Sequence, residues 1–145
     1  MSPVPARITC VTLGVADLAR ATAFYEALGW ERSPAGGDTV SFFRTAGPML
    51  ALFGRDDLAA DATVPSTPRA GMFTGVTLAV NVMTDAEVDD ALAGAAAAGA
   101  TIVKPAARTD YGGYSGYFAD PEGNLWEVVC VSAFAVDDAG HIVIP

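Results

Sequence analysis

The sequence predicts an α+β fold in which a βαβββ unit occurs twice, so that two modules form one curved, cupped mixed sheet with helices outside. Three observations support this prediction: a repeated strand, a helical pattern after each copy of it, and further strand segments separated by turn residues. The repeat is ITCVTLGV at residues 8–15 and FTGVTLAV at residues 73–80, with five of eight positions identical. Apolar and polar residues alternate in both copies, which is typical of a strand buried on one face.

An amphipathic helix is expected after each copy of the repeated strand. In the first copy Asp17 is the predicted N-cap, and the apolar stripe of LARATAFYEAL ends at Gly29. In the second copy Thr84 and Glu87 have the spacing of a capping box, and the helix is expected to end at Gly99. One helix can cover only one face of a sheet, so the paired modules should leave a cleft lined by the residues that alternate with the core positions.

Three further strand segments follow each predicted helix. They are residues 30–32, 40–44 and 49–53 in the first module, and residues 101–103, 114–119 and 125–131 in the second. The segment DPEGN at residues 120–124 is a strong turn signal, because proline fixes one φ angle and glycine supplies a positive one.

We predict a single domain over residues 1–145, because two independent domains of half that length would be marginal. Module one spans about residues 7–54, and an aperiodic, Pro-containing linker that could act as a lid covers 55–72. Module two spans about residues 73–131. The C-terminal extension, 132–145, is expected to form a closing hairpin or edge extension that turns at residues 137–140.

Composition excludes several classes of function. Eight basic and 17 acidic residues give a net charge of −9, which disfavours binding to nucleic acid and favours cationic ligands. No apolar run is long enough to span a membrane, and the N-terminus does not resemble a signal peptide. Cys10 and Cys130 lack disulfide-scaffold or CxxC spacing, so we expect a reduced, cytoplasmic protein. The single histidine, His141, leaves little material for a histidine metal site or a Cys–His catalytic pair.

Two motifs carry a family resemblance. LGVADLARATAFYEALGW at residues 13–30 and DPEGNLWEVV at residues 120–129, together with the repeated unit, resemble the vicinal oxygen chelate superfamily over roughly residues 7–131. That superfamily contains glyoxalase I, extradiol dioxygenases, fosfomycin-resistance enzymes and bleomycin-resistance binding proteins. The resemblance implies the fold described above and a homodimer with clefts at the subunit interface, but it does not select one activity.

The resemblance also implies four metal-ligand positions, on the first and last strand of each module. They fall on Cys10, Ala51 (or its neighbour Leu52), Gly75 (or Thr77 if an insertion shifts the register by two) and Glu127. A catalytic metal site needs about three protein ligands and an open position. We therefore predict no cofactor and no divalent metal.

The predicted ligand-binding surface combines aromatic residues with one carboxylate. Its candidate residues are Cys10, Thr12, Phe42, Tyr111, Tyr114, Tyr117 and Glu127. Aromatic walls beside a carboxylate suit a flat or cationic ligand. Glu127 would be the anionic anchor or a general base; alternatively, it only pairs with a nearby backbone N–H or arginine. For each aromatic residue the alternative is ordinary sheet packing, and for Cys10 it is a quiet, half-buried thiol.

We therefore predict a metal-independent small-molecule binding protein of the glyoxalase/bleomycin-resistance type, with an aromatic or cationic ligand in the cleft between the modules. The alternative is a lyase/isomerase or dioxygenase-like enzyme that uses Glu127 as base or metal ligand. A purely structural or protein-interaction role would be favoured if side chains fill the cleft. The expected partners are a small molecule and a second copy of the chain, without nucleic acid or membrane.

Overall fold

The structure is a computed structural model that describes residues 4–67 and 71–144. Module one comprises β1 (Cys10–Val15), α1 (Leu18–Ala27), β2 (Val40–Phe43) and β3 (Met49–Gly54), and is followed by α2 (Arg55–Asp61). Module two comprises β4 (Leu78–Asn81), α3 (Asp85–Ala98), β5 (Thr101–Arg108), β6 (Gly113–Ala119) and β7 (Leu125–Val131). A hairpin of β8 (Ala135–Val136) and β9 (Ile142–Val143) lies near the C-terminus.

The strands form one hydrogen-bonded sheet per module, and the predicted α+β class is confirmed. Sheet A has the order β1-β3-β2, and sheet B has the order β4-β7-β6-β5. In both sheets the first strand of the module pairs in parallel with the last, and the remaining pairs are antiparallel. The single continuous sheet of the prediction is not formed, because no ladder joins β1 to β4 among the described residues. The predicted strand at residues 30–32 is reduced to one bridge between Arg32 and Phe43.

The two modules share one hydrophobic core. Tyr25 on α1 and Phe43 on β2 are completely buried, with ring centroids 5.7 Å apart. On the other side, Tyr25 lies 6.1 Å from Trp126 of β7, and Phe24 lies 6.3 Å from Phe118 of β6. The helix of module one thus packs against the sheet of module two, which makes the modules interdependent.

Both predicted helix starts are present. The carboxylate of Asp17 accepts the N–H of Arg20, and Thr84 and Glu87 form both hydrogen bonds of a capping box. Gly99 ends α3 in a left-handed conformation with φ of 112°. None of the helices in the described part of the chain has the length and apolar composition needed to cross a bilayer.

The segment 55–72 contains a helix that the sequence analysis did not predict. Arg55–Asp61 forms α2 directly after β3, with Asp56 and Asp57 in its first turn, where the helix dipole favours negative charge. A Cβ atom on Gly14 would lie 3.3 Å from Leu58 Cδ2, so α2 packs closely on β1. The prediction of an aperiodic linker is therefore wrong for residues 55–61; residues 68–70 of the same segment lie outside the described residues.

The C-terminal extension forms the predicted hairpin and returns to module one. The carboxylate of Asp137 accepts the N–H groups of Ala139 and His141 at 3.0 and 2.8 Å, which fixes the turn. His141 Nε2 lies 2.7 Å from the carbonyl oxygen of Ala46, in the loop between β2 and β3. The hairpin therefore ties the end of module two to a loop of module one.

Candidate functional site

The register between the two modules decides which residues are equivalent. The helix N-caps Asp17 and Thr84 are 67 residues apart, two more than the offset of the sequence repeat. With this offset the counterpart of Cys10 is Thr77. Gly75 lies before β4, with a positive φ of 87°. The sequence left Gly75 and Thr77 as alternatives for the counterpart of Cys10, and the structure favours Thr77.

Cross-strand pairing places the equivalent residues in two rows. The row in sheet A consists of Thr12, Ala51 and Phe42. The row in sheet B consists of Ala79, Glu127, Tyr117 and Lys104. The 67-residue offset relates Thr12 to Ala79, so Ala51 occupies in sheet A the place that Glu127 occupies in sheet B.

Glu127 lies on the face of sheet B away from the core. Its neighbours on β7, Trp126 and Val128, are buried in the core, and alternation along the strand directs the Glu127 side chain to the opposite face. Glu127 itself is half-buried. The apolar residues that hold β7 in place thus also fix the direction of the carboxylate.

Two tyrosines surround this carboxylate. The hydroxyl of Tyr111, in the loop between β5 and β6, donates to Glu127 Oε1 at 3.3 Å, and Tyr117 lies at the paired position on β6. Burial, and next the negative charge of Glu127, raise the pKa of Tyr117, which keeps its hydroxyl protonated as a donor. Glu127 takes part in no ion pair among the described residues, and Lys104 is two strands away in the same row. The Glu127 site (Glu127, Tyr111 and Tyr117) is therefore an anionic site that lacks a cation.

Tyr114 does not join this site, contrary to the expectation that it lines the same surface as Glu127. It lies on the helix-covered face of β6, where its hydroxyl donates to Asp89 Oδ1 on α3 at 2.8 Å. That hydrogen bond is the main reason that the pKa of Tyr114 is raised. The guanidinium of Arg108 lies over the Tyr114 ring, 5.2 Å from its centroid. The alternation of side chains along β6 predicts this difference, because Tyr114 and Tyr117 are an odd number of residues apart and must face opposite sides of the sheet.

The remaining predicted residues form a separate group on sheet A. Cys10 Sγ lies 3.8 Å from Thr12 Oγ1, and Phe42 lies in the same row as Thr12. No hydrogen bond of the described residues links this group to the Glu127 site. His141 is held by Ala46 and by Asp137, whose Oδ2 is 3.5 Å from Nδ1, so it is not positioned to activate Cys10.

The donor set does not fit the metal that the family resemblance implies. The four equivalent positions hold Cys10, Ala51, Thr77 and Glu127, of which only the thiol and the carboxylate are common ligands of a catalytic metal. Within residues 4–67 and 71–144, no cluster of three or more His, Cys, Asp or Glu side chains could hold an ion. We derive no chemical step through a metal.

Sequence analysis missed a buried polar cluster between the modules. The hydroxyl of Tyr25 donates to Asp120 Oδ2 at 2.6 Å and accepts the indole N–H of Trp126 at 3.0 Å. Burial, and next the charge of Asp120, raise the pKa of Tyr25. Asp120 also accepts the backbone N–H groups of Glu122 and Asn124, both at 2.9 Å. The DPEGN motif contains Asp120, but turn propensity alone explains this motif and does not indicate the cluster.

Glu122 of the same turn docks on the start of α1. Its Oε1 accepts the N–H of Ala16 at 2.6 Å, and its Oε2 accepts from the N–H of Asp17 at 3.2 Å and from Arg20 at 2.8 Å. Burial alone would raise the pKa of Glu122, but these hydrogen bonds outweigh it and hold the pKa below its ordinary value. Its side chain is 2% exposed, so Glu122 is a structural and not a surface carboxylate.

A cavity of about 680 Å³ lies between the modules, on the opposite face of β7 from Glu127. Trp30, Leu50, Trp126 and Val80 contribute to its apolar lining. The sequence analysis expected the cleft between the modules to be lined by the residues that alternate with the core. The cavity is instead lined by a few core side chains together with the loop between β2 and β3 and the C-terminal hairpin, because sheets A and B remain separate along β1 and β4.

Known proteins share this architecture. A glyoxalase-related enzyme from Fulvimarina pelagi is 30% identical, with 97% of this chain and 99% of that chain covered and a TM-score of 0.86. A lactoylglutathione lyase from Agrobacterium tumefaciens is 31% identical over 89% of this chain and 96% of that one, with a TM-score of 0.66. A glyoxalase/bleomycin resistance protein/dioxygenase from Nocardioides is 25% identical over 90% and 86%, with a TM-score of 0.76.

Sequence comparison leads to the same family. Among proteins of curated function, none is significantly similar in sequence to this chain. The sequence profile of the Glyoxalase/Bleomycin resistance protein/Dioxygenase superfamily matches residues 7–128, which is most of the chain. Together with the structural similarity, this match shows that the chain belongs to the glyoxalase/bleomycin resistance protein/dioxygenase superfamily.

Proposed function

We propose that this chain is a metal-independent small-molecule binding protein that holds an aromatic or cationic ligand at the Glu127 site. The observation that carries the proposal is the environment of the Glu127 carboxylate, which accepts the hydroxyl of Tyr111 and takes part in no ion pair among the described residues. A half-buried carboxylate of this kind gains most from a cation supplied by the ligand.

The chemistry of the neighbouring residues supports the same class of ligand. Tyr111 and Tyr117 offer aromatic rings beside the carboxylate, and a protonated or quaternary amine over such a ring is attracted by its quadrupole. The net charge of −9 also raises the local concentration of cations around the protein. Binding requires neither a metal nor a nucleophile, which fits the incomplete donor set at Cys10 and Ala51.

The direct test is a titration with benzyltrimethylammonium, with benzyl alcohol as the neutral comparison, followed by NMR or calorimetry. We expect saturable binding of the cation, roughly 5- to 30-fold weaker in Glu127→Gln, since the loss of a desolvated charge contact is worth roughly 1–2 kcal/mol. Asp38→Asn is the matched control, because it removes one unit of charge from an exposed residue outside the site. Equal weakening in both variants would show that only net charge matters and would refute the anchor role of Glu127.

Metal independence has its own measurement. We expect elemental analysis of the purified protein to find well under one equivalent of zinc, nickel, iron or manganese, and added metal to leave the affinity for benzyltrimethylammonium unchanged. A stoichiometric metal that is lost together with the Cys10 thiol in Cys10→Ser would overturn this part of the proposal.

An enzymatic role is the second candidate: a lyase/isomerase or dioxygenase-like enzyme with Glu127 as base or metal ligand. The observation that favours it is the 31% identity to the lactoylglutathione lyase of Agrobacterium tumefaciens over 89% of this chain. The test is a lactoylglutathione lyase assay with and without added divalent metal. Turnover that is abolished in Glu127→Gln would replace the binding proposal, and no turnover under either condition would exclude this activity.

We further propose that the protein is a homodimer. Large apolar side chains are exposed in the segments that precede the two outer strands β1 and β4, namely those of Ile8, Met72, Phe73 and Val76. We infer that these side chains form one apolar surface, and exposed apolar surfaces mark interaction sites. We expect light scattering to give twice the mass of the chain, and Ile8→Lys with Phe73→Lys to give the single mass; a monomer in the unsubstituted protein would refute the proposal.

A further inference from the structure

We propose that the cavity between the modules is a second ligand site, which takes a neutral, ring-containing molecule with an amide group. The proposal goes beyond the Glu127 site, because Trp126 lines the cavity while Glu127, the next residue of β7, faces the opposite side of sheet B. A ligand in the cavity would therefore not contact the carboxylate.

The size and walls of the cavity suit a small organic molecule. Its volume, about 680 Å³, lies within the range of roughly 300–1,000 Å³ that is typical of small-molecule pockets. Val11, Leu50, Leu78 and Val80 supply aliphatic walls from four positions on β1, β3 and β4. Such walls favour the burial of apolar area and indicate a ligand with a large hydrocarbon part.

Two tryptophan side chains in the cavity lining favour a ligand that contains an aromatic ring. The rings of Trp30 and Trp126 are 5.4 Å apart between centroids and nearly perpendicular, at 88°. Both side chains line the cavity. Aromatic side chains in a cavity lining favour contact with an aromatic ligand.

The polar groups inside the cavity are those of a strand edge. β4 is the outermost strand of sheet B, and Val82, directly after it, donates its N–H to Val129 of β7 at 2.9 Å. Because backbone groups alternate along a strand, the N–H and C=O groups of Ala79 and Asn81 point away from β7. Both residues line the cavity, and alternation places their side chains on the Glu127 face of sheet B. Paired donors and acceptors of this kind match an amide, which carries one of each.

The rim of the cavity carries no net charge that would call for an ionic ligand. Arg44 and Glu31 line the cavity and pair with one another, with Nε to Oε1 at 3.2 Å. On the other side of the rim, His141 is engaged by the carbonyl of Ala46, so the C-terminal hairpin forms a fixed border. A neutral ligand meets apolar walls and an amide-like edge without disturbing this ion pair.

The experiment uses the two tryptophans as reporters, because Trp30 and Trp126 are the only ones in the chain and both line the cavity. Acetanilide is titrated against phenyl acetate, in which an ester oxygen replaces the amide N–H. We expect saturable quenching by acetanilide and an affinity at least fivefold weaker for phenyl acetate. No saturable change with acetanilide, or equal affinity for the two compounds, would overturn the proposed site.

Variants separate the cavity from other binding surfaces. Val11→Phe should fill the cavity and weaken acetanilide binding at least tenfold. Asn81→Pro should remove most of the preference for the amide without filling the cavity, because it deletes a backbone N–H that points away from β7. Val103→Phe is the matched control, since Val103 is an exposed strand residue that does not line the cavity, and it should bind acetanilide as the unsubstituted protein does.

Two further measurements keep the result unambiguous. The affinity of Val11→Phe for benzyltrimethylammonium should stay within twofold, so a failure of the Glu127 site and a failure of the cavity site give different results. Should Val11→Phe fail to fold, Asn81→Pro carries the test alone, since it removes no hydrogen bond between β4 and β7. Acetanilide binding that is lost as the protein concentration rises, in step with the appearance of the dimer mass, would show that a second copy fills the cavity, and it would overturn the proposal.

Discussion

Replacing Tyr25 by phenylalanine should destabilise the fold by about 3 kcal/mol, although only one oxygen atom is removed. Without the hydroxyl, the buried indole N–H of Trp126 has no partner, which costs roughly 1–3 kcal/mol. Asp120 also loses its 2.6 Å hydrogen bond, and a bond to a charged group contributes roughly 1.5–3 kcal/mol. Oδ2 of Asp120 still accepts a hydrogen bond from the side-chain amide of Asn124 at 2.9 Å, so the total loss of stability falls below the sum of the two upper limits.

The assay is urea unfolding followed by tryptophan fluorescence and by circular dichroism. With an m-value of roughly 2 kcal/mol/M for a domain of this size, the midpoint should fall by about 1.5 M while m stays constant. Tyr114→Phe is the control, because its hydroxyl bonds to the exposed Asp89 and its loss should change stability by less than about 0.5 kcal/mol. Midpoints of Tyr25→Phe and Tyr114→Phe within about 0.3 M of each other would refute the reasoning about the buried cluster.

Two further predictions concern the same architecture. The pKa of Glu122 is held below its ordinary value of 4.5, so its contribution to stability is complete above that pH and is lost as pH falls through the folded-state pKa. Unfolding midpoints between pH 7 and pH 3 should therefore fall more steeply in the unsubstituted protein than in Glu122→Gln, and parallel curves would contradict this account. Thermal unfolding should show that Gly94→Ala in α3 raises the free energy of unfolding by about 0.5–1 kcal/mol, because open space surrounds the new methyl group. Gly116→Ala should instead destabilise by roughly 1–3 kcal/mol, since its Cβ would lie 2.5 Å from Leu92 Cδ1 and 2.9 Å from the Lys104 carbonyl oxygen; shifts of the same sign would refute the steric argument.

Features that depend on local chemistry could be predicted from the sequence. The capping box of Thr84 and Glu87, the end of α3 at Gly99 and the turn at Asp120–Asn124 all rest on interactions within a few residues of the chain. The α+β class also followed, because the alternating strands and the helical stripes are periodic over whole elements. Short-range patterns of this kind are little affected by the rest of the molecule.

Features that depend on tertiary contacts could not be predicted in the same way. Helix α2 has a single large apolar residue, Leu58, and becomes understandable only from its packing beside Gly14. The sequence repeat gave an offset of 65 residues, whereas the helix caps are 67 apart, and only the pairing of Ala79 with Glu127 identifies the equivalent positions. The residue pattern of a single strand does not predict that sheets A and B remain separate, and so it does not predict the cavity between them.

The candidate site was partly predictable. Alternation correctly placed the Glu127 side chain on the face of β7 away from the core. The same rule, applied consistently to β6, would have assigned Tyr114 to the helix side together with Phe118. The contact between Tyr111 and Glu127 depends on the shape of a loop, which the periodicity of neighbouring strands does not determine.

The cluster of Tyr25, Asp120 and Trp126 bears on how activities are assigned to relatives of this chain. These three residues belong to the two motifs by which the superfamily is recognised, and they contact one another across the module boundary. A sequence search that scores these motifs therefore detects the contact between the two modules. Of the Glu127 site, only Glu127 itself lies within the motifs. Two proteins can be identical at this contact and still bind different molecules. Within the superfamily, an activity should therefore be assigned from the residues paired with Glu127 and not from the motifs.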